Sequence, residues 1–239
     1  MQIKVVSWNI WQGHHLKMII SFLKQNNADV IGLQEAIEKD GTNTAAVIAK
    51  ELGYQCSYHR AVDQTRLGYP QGNAILSRYP IAKSIFHKLS GLSLYKNTAE
   101  TEPRIAVEAK INTGNNMLTV FTVHLAYSHQ FKESKMRNLQ VDNLIKLLPS
   151  ARAILMGDFN SHPDSLIVTK LNQVMVNADQ NLTVPTWTVY PFNVEGFAET
   201  KLRHRLDYIF VSKDIRVRSF RVKDSEGSDH LPVSAIVEI

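Results

Sequence analysis

Ala153-Ile154-Leu155-Met156-Gly157-Asp158-Phe159-Asn160 passes from an unbroken apolar run to a tight polar segment. The apolar run predicts a buried strand, and Gly, Asp and Asn together predict a turn at its end. The same arrangement, a polar side chain at the end of an apolar strand, recurs along the chain. Asn9 ends the β-branched strand Ile3 to Trp8, and Glu35 ends the run Val30 to Leu33. His124 closes the strand that starts at Met117. Asp207 lies near the start of the strand Leu206 to Val211, among apolar residues where an unpaired charge is costly. Asp229 and His230 precede the last strand, Val233 to Ile239.

The segments between them fill in an alternation of helices and strands. Leu16, Ile19, Ile20 and Leu23 share one face of a helix, as do Ala45, Ile48, Ala49 and Leu52, with Gly53 placed to end the second. Asn73 to Leu76 and Ile81 to Leu89 read as strands around a turn at Tyr79-Pro80. Ile105, Val107, Ala109 and Ile111 alternate as a half-buried strand, and Gly114-Asn115-Asn116 marks a hairpin turn into Met117 to His124. A helix is predicted over Phe131 to Leu148, stopped by Pro149. Another starts near Pro163 and buries Ile167, Leu171 and Val174. Ile215 to Val222 adds a strand near the end. Early alternation followed by hairpins predicts an α/β fold of mixed sheets covered by helices, not an all-parallel barrel.

Composition supports one folded domain spanning residues 1–239. Hydrophobic residues make up 44% and charged residues 21%, which suits a large core and argues against disorder. The net charge of +5, from 27 basic and 22 acidic residues, favours an anionic partner. A lone cysteine, Cys56, excludes a disulfide-built scaffold and is expected to be a small buried apolar residue. The first residues predict a strand rather than an export signal, and no stretch reaches the ~18 apolar residues that span a bilayer. A cytoplasmic monomer without stable membrane association is expected.

In layered sheet proteins the strand ends at one rim converge, and ligands bind there. Glu35, Asp158, Asp207 and Asp229 brought together would repel one another. A divalent cation resolves that repulsion, and oxygen ligands suit Mg²⁺, with Mn²⁺ as a substitute. The absence of a cysteine cluster argues against structural zinc.

Seven blocks occur in order: Ser7-Trp8-Asn9-Ile10, Leu33-Gln34-Glu35, Gly72-Asn73-Ala74-Ile75-Leu76-Ser77, Thr122-Val123-His124-Leu125, Gly157-Asp158-Phe159-Asn160, Arg205-Leu206-Asp207-Tyr208-Ile209-Phe210 and Ser228-Asp229-His230. Together they resemble the endonuclease/exonuclease/phosphatase superfamily of metal-dependent phosphoesterases, over nearly the whole chain. The resemblance implies a four-layer α/β sandwich like that of pancreatic-type DNases, with two packed mixed sheets flanked by helices. It also implies that Asn9 and Glu35 hold a metal ion, with Asp229 as a further direct or water-mediated ligand. By the same resemblance Asn160 donates to a phosphate oxygen, Asp207 fixes and charges the His230 imidazole, and His124 contacts the phosphate from the other side. Either Asp158 or His230 serves as base.

Three further residues are candidates for substrate binding. Arg104 either reaches a phosphate or is a strand-end surface charge. Trp187 lies in the segment Thr186 to Arg205, which also holds Tyr190, Phe192, Phe197, Arg203, His204 and Arg205. These aromatics and cations either stack bases and hold phosphates or form a small satellite core. Trp11, His14 and His15 are placed to line the mouth of the site.

The leading expectation is a nuclease, endonucleolytic or exonucleolytic, acting on a nucleic-acid phosphodiester. The alternative is a phosphatase or phospholipase-like enzyme acting on inositol phosphates or lipid headgroups. Arg205-Leu206-Asp207 lacks the Trp-Thr-Asp-Arg block of inositol 5-phosphatases. Trp8-Asn9-Ile10-Trp11 departs from the abasic-site nucleases of exonuclease III type, and Ala36 replaces their Thr. A third possibility is an inactive binding module on the same scaffold, disfavoured because every expected metal and catalytic position is filled.

Overall fold

Alternation with period two decides which side chains meet inside this molecule. A computed structural model describes residues 1–63, 68–90, 102–114, 116–194 and 196–239. In chain order the elements are β1 (Gln2–Asn9), α1 (Leu16–Asn26), β2 (Val30–Lys39), β3 (Thr42–Asn43), α2 (Thr44–Leu52), β4 (Gln55–Val62), β5 (Gln71–Ser77), β6 (Ile81–Lys88), β7 (Ile105–Asn112), β8 (Met117–His124), α3 (Lys135–Ile145), β9 (Ala153–Asp158), α4 (Leu166–Val174), β10 (Val176–Asn177), β11 (Phe192–Val194), β12 (Phe197–Glu199), β13 (Asp207–Val211), β14 (Arg216–Val222) and β15 (Val233–Glu238).

Two sheets result. The first runs β14-β15-β1-β2-β5-β4 with β3 paired to β2, and the second runs β10-β13-β9-β8-β7-β6. Both are mixed: β1 and β2 are parallel, as are β8 and β9, and the other neighbours are antiparallel. Ile3, Val5, Val30, Ile75, Val107, Val120, Ile154, Met156, Ile209 and Ala235 form a fully buried layer between the sheets. The alternate residues face outward. Val6, Trp8, Ile31 and Leu33 pack under Ile19, Leu23, Ile48 and Ala49 of α1 and α2. Phe121, Val123, Leu155, Tyr208 and Phe210 pack under Val141 and Leu144 of α3 and Ile167 and Leu171 of α4. The result is the expected four-layer α/β sandwich.

Local chemistry sets the element ends. Asn43 caps α2 by accepting from Ala46 N at 3.0 Å, and Gly53 ends it in the left-handed conformation. The helix expected over 131–148 begins only at Lys135. Gln130 and Phe131 adopt positive φ, and Ser134 supplies the cap. The helix near Pro163 starts after Ser165, and Val174 is exposed instead of buried. β4 has no counterpart in the sequence reading, because as an edge strand it shows only weak alternation. Cys56 lies on it and is exposed, which corrects the expectation of burial. In the Gly114-Asn115-Asn116 turn, Asn115 lies outside the described residues; the strands around it pair antiparallel, with Asn112 opposite Met117. No helix among the described residues is long and apolar enough to cross a membrane.

Candidate active site

The inward-facing row of several strands ends in a polar residue at one rim. In β1 the row is Ile3, Val5, Ser7, Asn9; in β8 it is Leu118, Val120, Thr122, His124; in β9 it is Ile154, Met156, Asp158; in β13, read backwards, it is Val211, Ile209, Asp207. Parallel pairing sets His124 opposite Asp158, and antiparallel pairing sets Asp207 opposite Asp158. β2 continues through Lys39, and Glu35 does not end it as the sequence suggested. Glu35 instead sits where the pairing with β5 shifts register, at φ +60°. This bulge takes Glu35 out of the alternation and brings it to the same rim. Gly157 makes the floor possible: a Cβ there would stand 2.1 Å from the carbonyl oxygen of Val123, at φ +153°.

The expected catalytic residues converge. Asn9 Nδ2 donates to Glu35 Oε1 at 3.0 Å and to Asp158 Oδ2 at 3.1 Å, while Asn9 Oδ1 accepts from Trp11 N at 3.1 Å. In this arrangement the Asn9 oxygen is used by the backbone, and its amide bridges two carboxylates instead of offering them a third oxygen. His230 Nδ1 lies 2.9 Å from Asp207 Oδ2, and His230 Nε2 lies 3.6 Å from Asp158 Oδ2. His124 Nε2 lies 3.5 Å from the same Asp158 oxygen, with His124 Nδ1 4.0 Å from Glu35. Asn160 N donates to Asp158 Oδ1 at 2.9 Å, and its side chain donates to Leu125 O at 3.0 Å. Ser228 Oγ donates to Asn9 O at 2.7 Å and accepts from His230 N at 3.2 Å, tying the last loop to β1. Asp229 Oδ2 accepts from Trp187 Nε1 at 3.1 Å.

Burial gives these groups unequal protonation. The Glu35 carboxyl is pushed up to about 7 by burial, then by the neighbouring Asp229. Asp158 is pushed up to about 6, by burial first and also by Asp207, against the pull of His230. Burial works against charge on His230, but Asp207, Asp158 and Asp229 outweigh it and hold its pKa well above the ordinary histidine value. His124 goes the other way: burial, with Arg104 and His230 nearby, drops it well below that value. The fold therefore drives the two histidines apart on either side of Asp158, favouring the charged form of His230 and the neutral form of His124. Asp158, Asp207 and His230 place one ligand atom each within 4.8 Å of one another. The His230 imidazolium already supplies positive charge there. Glu35 lies beside a second carboxylate, Asp229, whose charge pushes its pKa up, and a hard divalent cation fits that oxygen donor set.

Above this floor lies a pocket of about 270 Å³. Tyr127, Phe131, Trp187 and Phe192 form an apolar wall, and Gln12, Gln71, Glu102 and Arg104 lie among the polar residues lining it. Arg104 is therefore placed at the pocket, with Nη2 3.1 Å from Glu102. Trp187 belongs to both expected settings: it lines the pocket and packs with Phe131 and Leu206 in a satellite core. Arg205 is the correction. Its guanidinium is 3% exposed and bound to Asp179 at 2.8 Å and Val184 O at 3.0 Å. Its Nε donates to Asp207 O at 2.8 Å, so it braces the floor from behind and does not line the pocket. Arg203 and His204 are likewise engaged by Glu199, at 3.1 and 2.9 Å.

Trp11 stacks on Tyr190, with His15 against the same ring. The sequence reading missed Tyr127 and misread Phe131 as helical. Buried Arg137 of α3 holds the loop that carries both, donating to Ala126 O, Ser128 Oγ and Phe131 O. The sequence signal was the aromatic spacing that follows His124, Leu125-Ala126-Tyr127-Ser128-His129-Gln130-Phe131.

A family model for the Endonuclease/Exonuclease/phosphatase family matches residues 6–230. No curated protein sequence matches the chain. Among solved structures, an endonuclease/exonuclease/phosphatase family protein from Leptotrichia buccalis C-1013-b is similar at a TM-score of 0.76 and 20% identity, over 99% of this chain and 100% of that one. The human Nocturnin catalytic domain is similar at 0.74 and 21%, over 99% and 94%. The Bacteroides thetaiotaomicron mannosyl-6-phosphatase Bt3783 is similar at 0.71 and 20%, over 99% and 100%. These likenesses show the shared fold. With a match covering nearly the whole chain and the phosphoesterase-type floor at the rim of the two sheets, the protein belongs to the Endonuclease/Exonuclease/phosphatase family of phosphoesterases.

Proposed function

We propose that this phosphoesterase is a Mg²⁺-dependent phosphodiesterase acting on nucleic acid. The supporting observation is the aromatic wall of Tyr127, Phe131, Trp187 and Phe192 beside a floor of carboxylates and histidines. A nucleobase stacks on such a wall while its phosphate rests on the floor. Glu35 and Asp229 are the carboxylates for the cation, with Asn9 bridging Glu35 to Asp158 and fixing its direction. A bound divalent cation would neutralise charge on the phosphate oxygens as the ester bond breaks.

The protonation pattern favours Asp158 as base. The raised pKa of His230 favours its charged form, which has no lone pair for a proton, whereas burial makes Asp158 an unusually basic carboxylate. Asp158 therefore orients and deprotonates the attacking water. The His230 N–H, steadied by Asp207, faces a phosphate oxygen, and neutral His124 hydrogen-bonds to the phosphate from the opposite side. Asn160 Nδ2 is bound to Leu125 O, so its backbone N–H acts instead, orienting Asp158.

A second reading rests on the pocket's size. About 270 Å³ holds one phosphorylated unit, which also suits a small phosphate ester such as a sugar or inositol phosphate. Hydrolysis of bis-p-nitrophenyl phosphate, single- and double-stranded DNA, RNA, sugar phosphates, inositol phosphates and sphingomyelin, with Mg²⁺, Mn²⁺ or EDTA, separates the readings. Cation-dependent cleavage of a nucleic acid, abolished by His230→Ala, is expected. Faster turnover of a sugar or inositol phosphate would replace the first reading with the second.

A further inference from the structure

Directly beneath the catalytic floor, the layer between the sheets changes character. Below it the inward rows are apolar. At this level they present Ser7 from β1, Gln34 from β2 and Thr122 from β8, all fully buried. Gln34 Nε2 donates to Thr122 Oγ1 at 2.7 Å and to Ser7 Oγ at 3.2 Å. One amide therefore joins three strands and crosses from the first sheet to the second. Each joined residue stands one or two positions before a site residue: Ser7 before Asn9, Gln34 before Glu35, Thr122 before His124. Gly32, also at this level, leaves room for the crossing, since a Cβ there would lie 2.9 Å from Thr122 Oγ1.

We infer that Gln34 is a positioning residue whose amide locks the two sheets in the alignment that sets Asn9 and Glu35 against His124 and Asp158. Interdigitated apolar side chains hold the two sheets together but set how one slides on the other less sharply than directional bonds do. Hydrogen bonds of 2.7 and 3.2 Å do fix it. The need is acute here because the floor is split between sheets: Asn9 and Glu35 belong to the first, and His124, Asp158 and Asp207 to the second. The clamp also carries a folding cost that packing would not select. Gln34 Oε1 accepts no hydrogen bond from the described residues, although it is buried. A buried acceptor left in that state is unfavourable, and an apolar side chain of the same length would avoid it. Such a residue at this position points to geometry rather than to stability.

Gln34→Met keeps the length and removes the amide. This inference rests on the phosphodiesterase reading for its activity readout, so Mn²⁺ binding followed by electron paramagnetic resonance and thermal unfolding accompany the kinetics. Expected for Gln34→Met is a melting temperature equal to or above that of the native chain. Expected with it is a fall in kcat of about tenfold or more with little change in KM, and Mn²⁺ affinity weaker by about tenfold, the usual range for support of a metal site. Thr122→Val removes the same bond from the other sheet and should act in the same direction. Combining the two should lower kcat no further than Gln34→Met does alone, since both break one link.

Folded Gln34→Met with kcat and Mn²⁺ affinity within twofold of native overturns the inference. If Gln34→Met fails to fold, Thr122→Val with native kcat and affinity overturns it equally. A native chain that neither hydrolyses any substrate nor binds Mn²⁺ defeats the functional reading instead. The clamp is then judged from the His124 and His230 ring signals in ¹H–¹³C spectra: displaced signals in Gln34→Met support it, and unchanged ones refute it.

Discussion

In the proposed cation site, Glu35 sets function against stability. Its carboxyl is ordinary in the unfolded chain, near 4.5, and is pushed up to about 7 in the folded one by burial and then by Asp229. A raised carboxylate destabilises the fold once the unfolded chain ionises, so stability falls as pH climbs from about 4.5 towards 7. Each pH unit across that window is worth ~1.4 kcal/mol, making the full effect about 3 kcal/mol at pH 8 and about 1 kcal/mol at pH 5. Glu35→Gln removes the ionisation and keeps an oxygen to accept from Asn9 Nδ2. In EDTA the variant should be more stable than the native chain by about 3 kcal/mol at pH 8, a rise in melting temperature of roughly 6–12 °C for a chain of this size. At pH 5 the difference should shrink to about 1 kcal/mol. Millimolar Mg²⁺ at pH 8 should stabilise the native chain and leave Glu35→Gln nearly unmoved, because the carboxylate that the cation relieves is gone. Urea denaturation at the two pH values, with EDTA or Mg²⁺, measures all four quantities. A variant no more stable than native at pH 8 without metal, or equally stabilised by Mg²⁺, would refute the account of Glu35 as a buried, raised carboxylate that holds the cation.

Other residues give separate tests. Asp207→Asn should lower kcat about 10²- to 10⁴-fold and move the alkaline limb of the rate–pH profile to lower pH. Asp207 helps raise the His230 pKa, and the stabilisation of a raised histidine is lost as pH rises through its folded value; an unmoved limb would show that the ring does not depend on Asp207. Arg205→Met breaks a buried ion pair and should cost about 3 kcal/mol in urea unfolding while KM stays within twofold of native; a selective loss of substrate affinity would return Arg205 to the binding site. Gly157→Ala places a methyl 2.1 Å from the Val123 carbonyl oxygen and should destabilise by about 3 kcal/mol or more in the same assay, a cost that a freely adjusting β8–β9 pair would not show.

Much of this protein was legible in order along the chain. Asn9, His124, Asp158 and Asp207 could be placed because each lies at the end of a strand whose inward row is mostly apolar, and period two is a property of the strand itself. The end of the helix that carries Ile48 and Ala49 could be placed because its stop, Gly53, acts locally, whereas its cap, Asn43, came only from the structure. What the chain order could not reveal depended on meetings between distant segments. Arg205 reads as a cation in an aromatic loop, yet Asp179 and the Asp207 carbonyl claim it from behind the floor. Glu35 reads as the end of a strand, but pairing with β5 forces a bulge that carries the strand onward and turns the carboxylate to the rim. Tyr127 and Phe131 became pocket walls only because Arg137, from a helix packed outside the second sheet, holds their loop. The protonation of His230 and His124 was likewise a tertiary matter, since the same side chain is driven in opposite directions by which charges folding brings beside it. Sequence by itself determined the strand rows and the chemical types at their ends, because alternation and capping act between near neighbours. The tertiary structure decided which of those groups are charged, which face the pocket and which are spent on each other, because burial and Coulomb forces act between residues that only the fold makes adjacent.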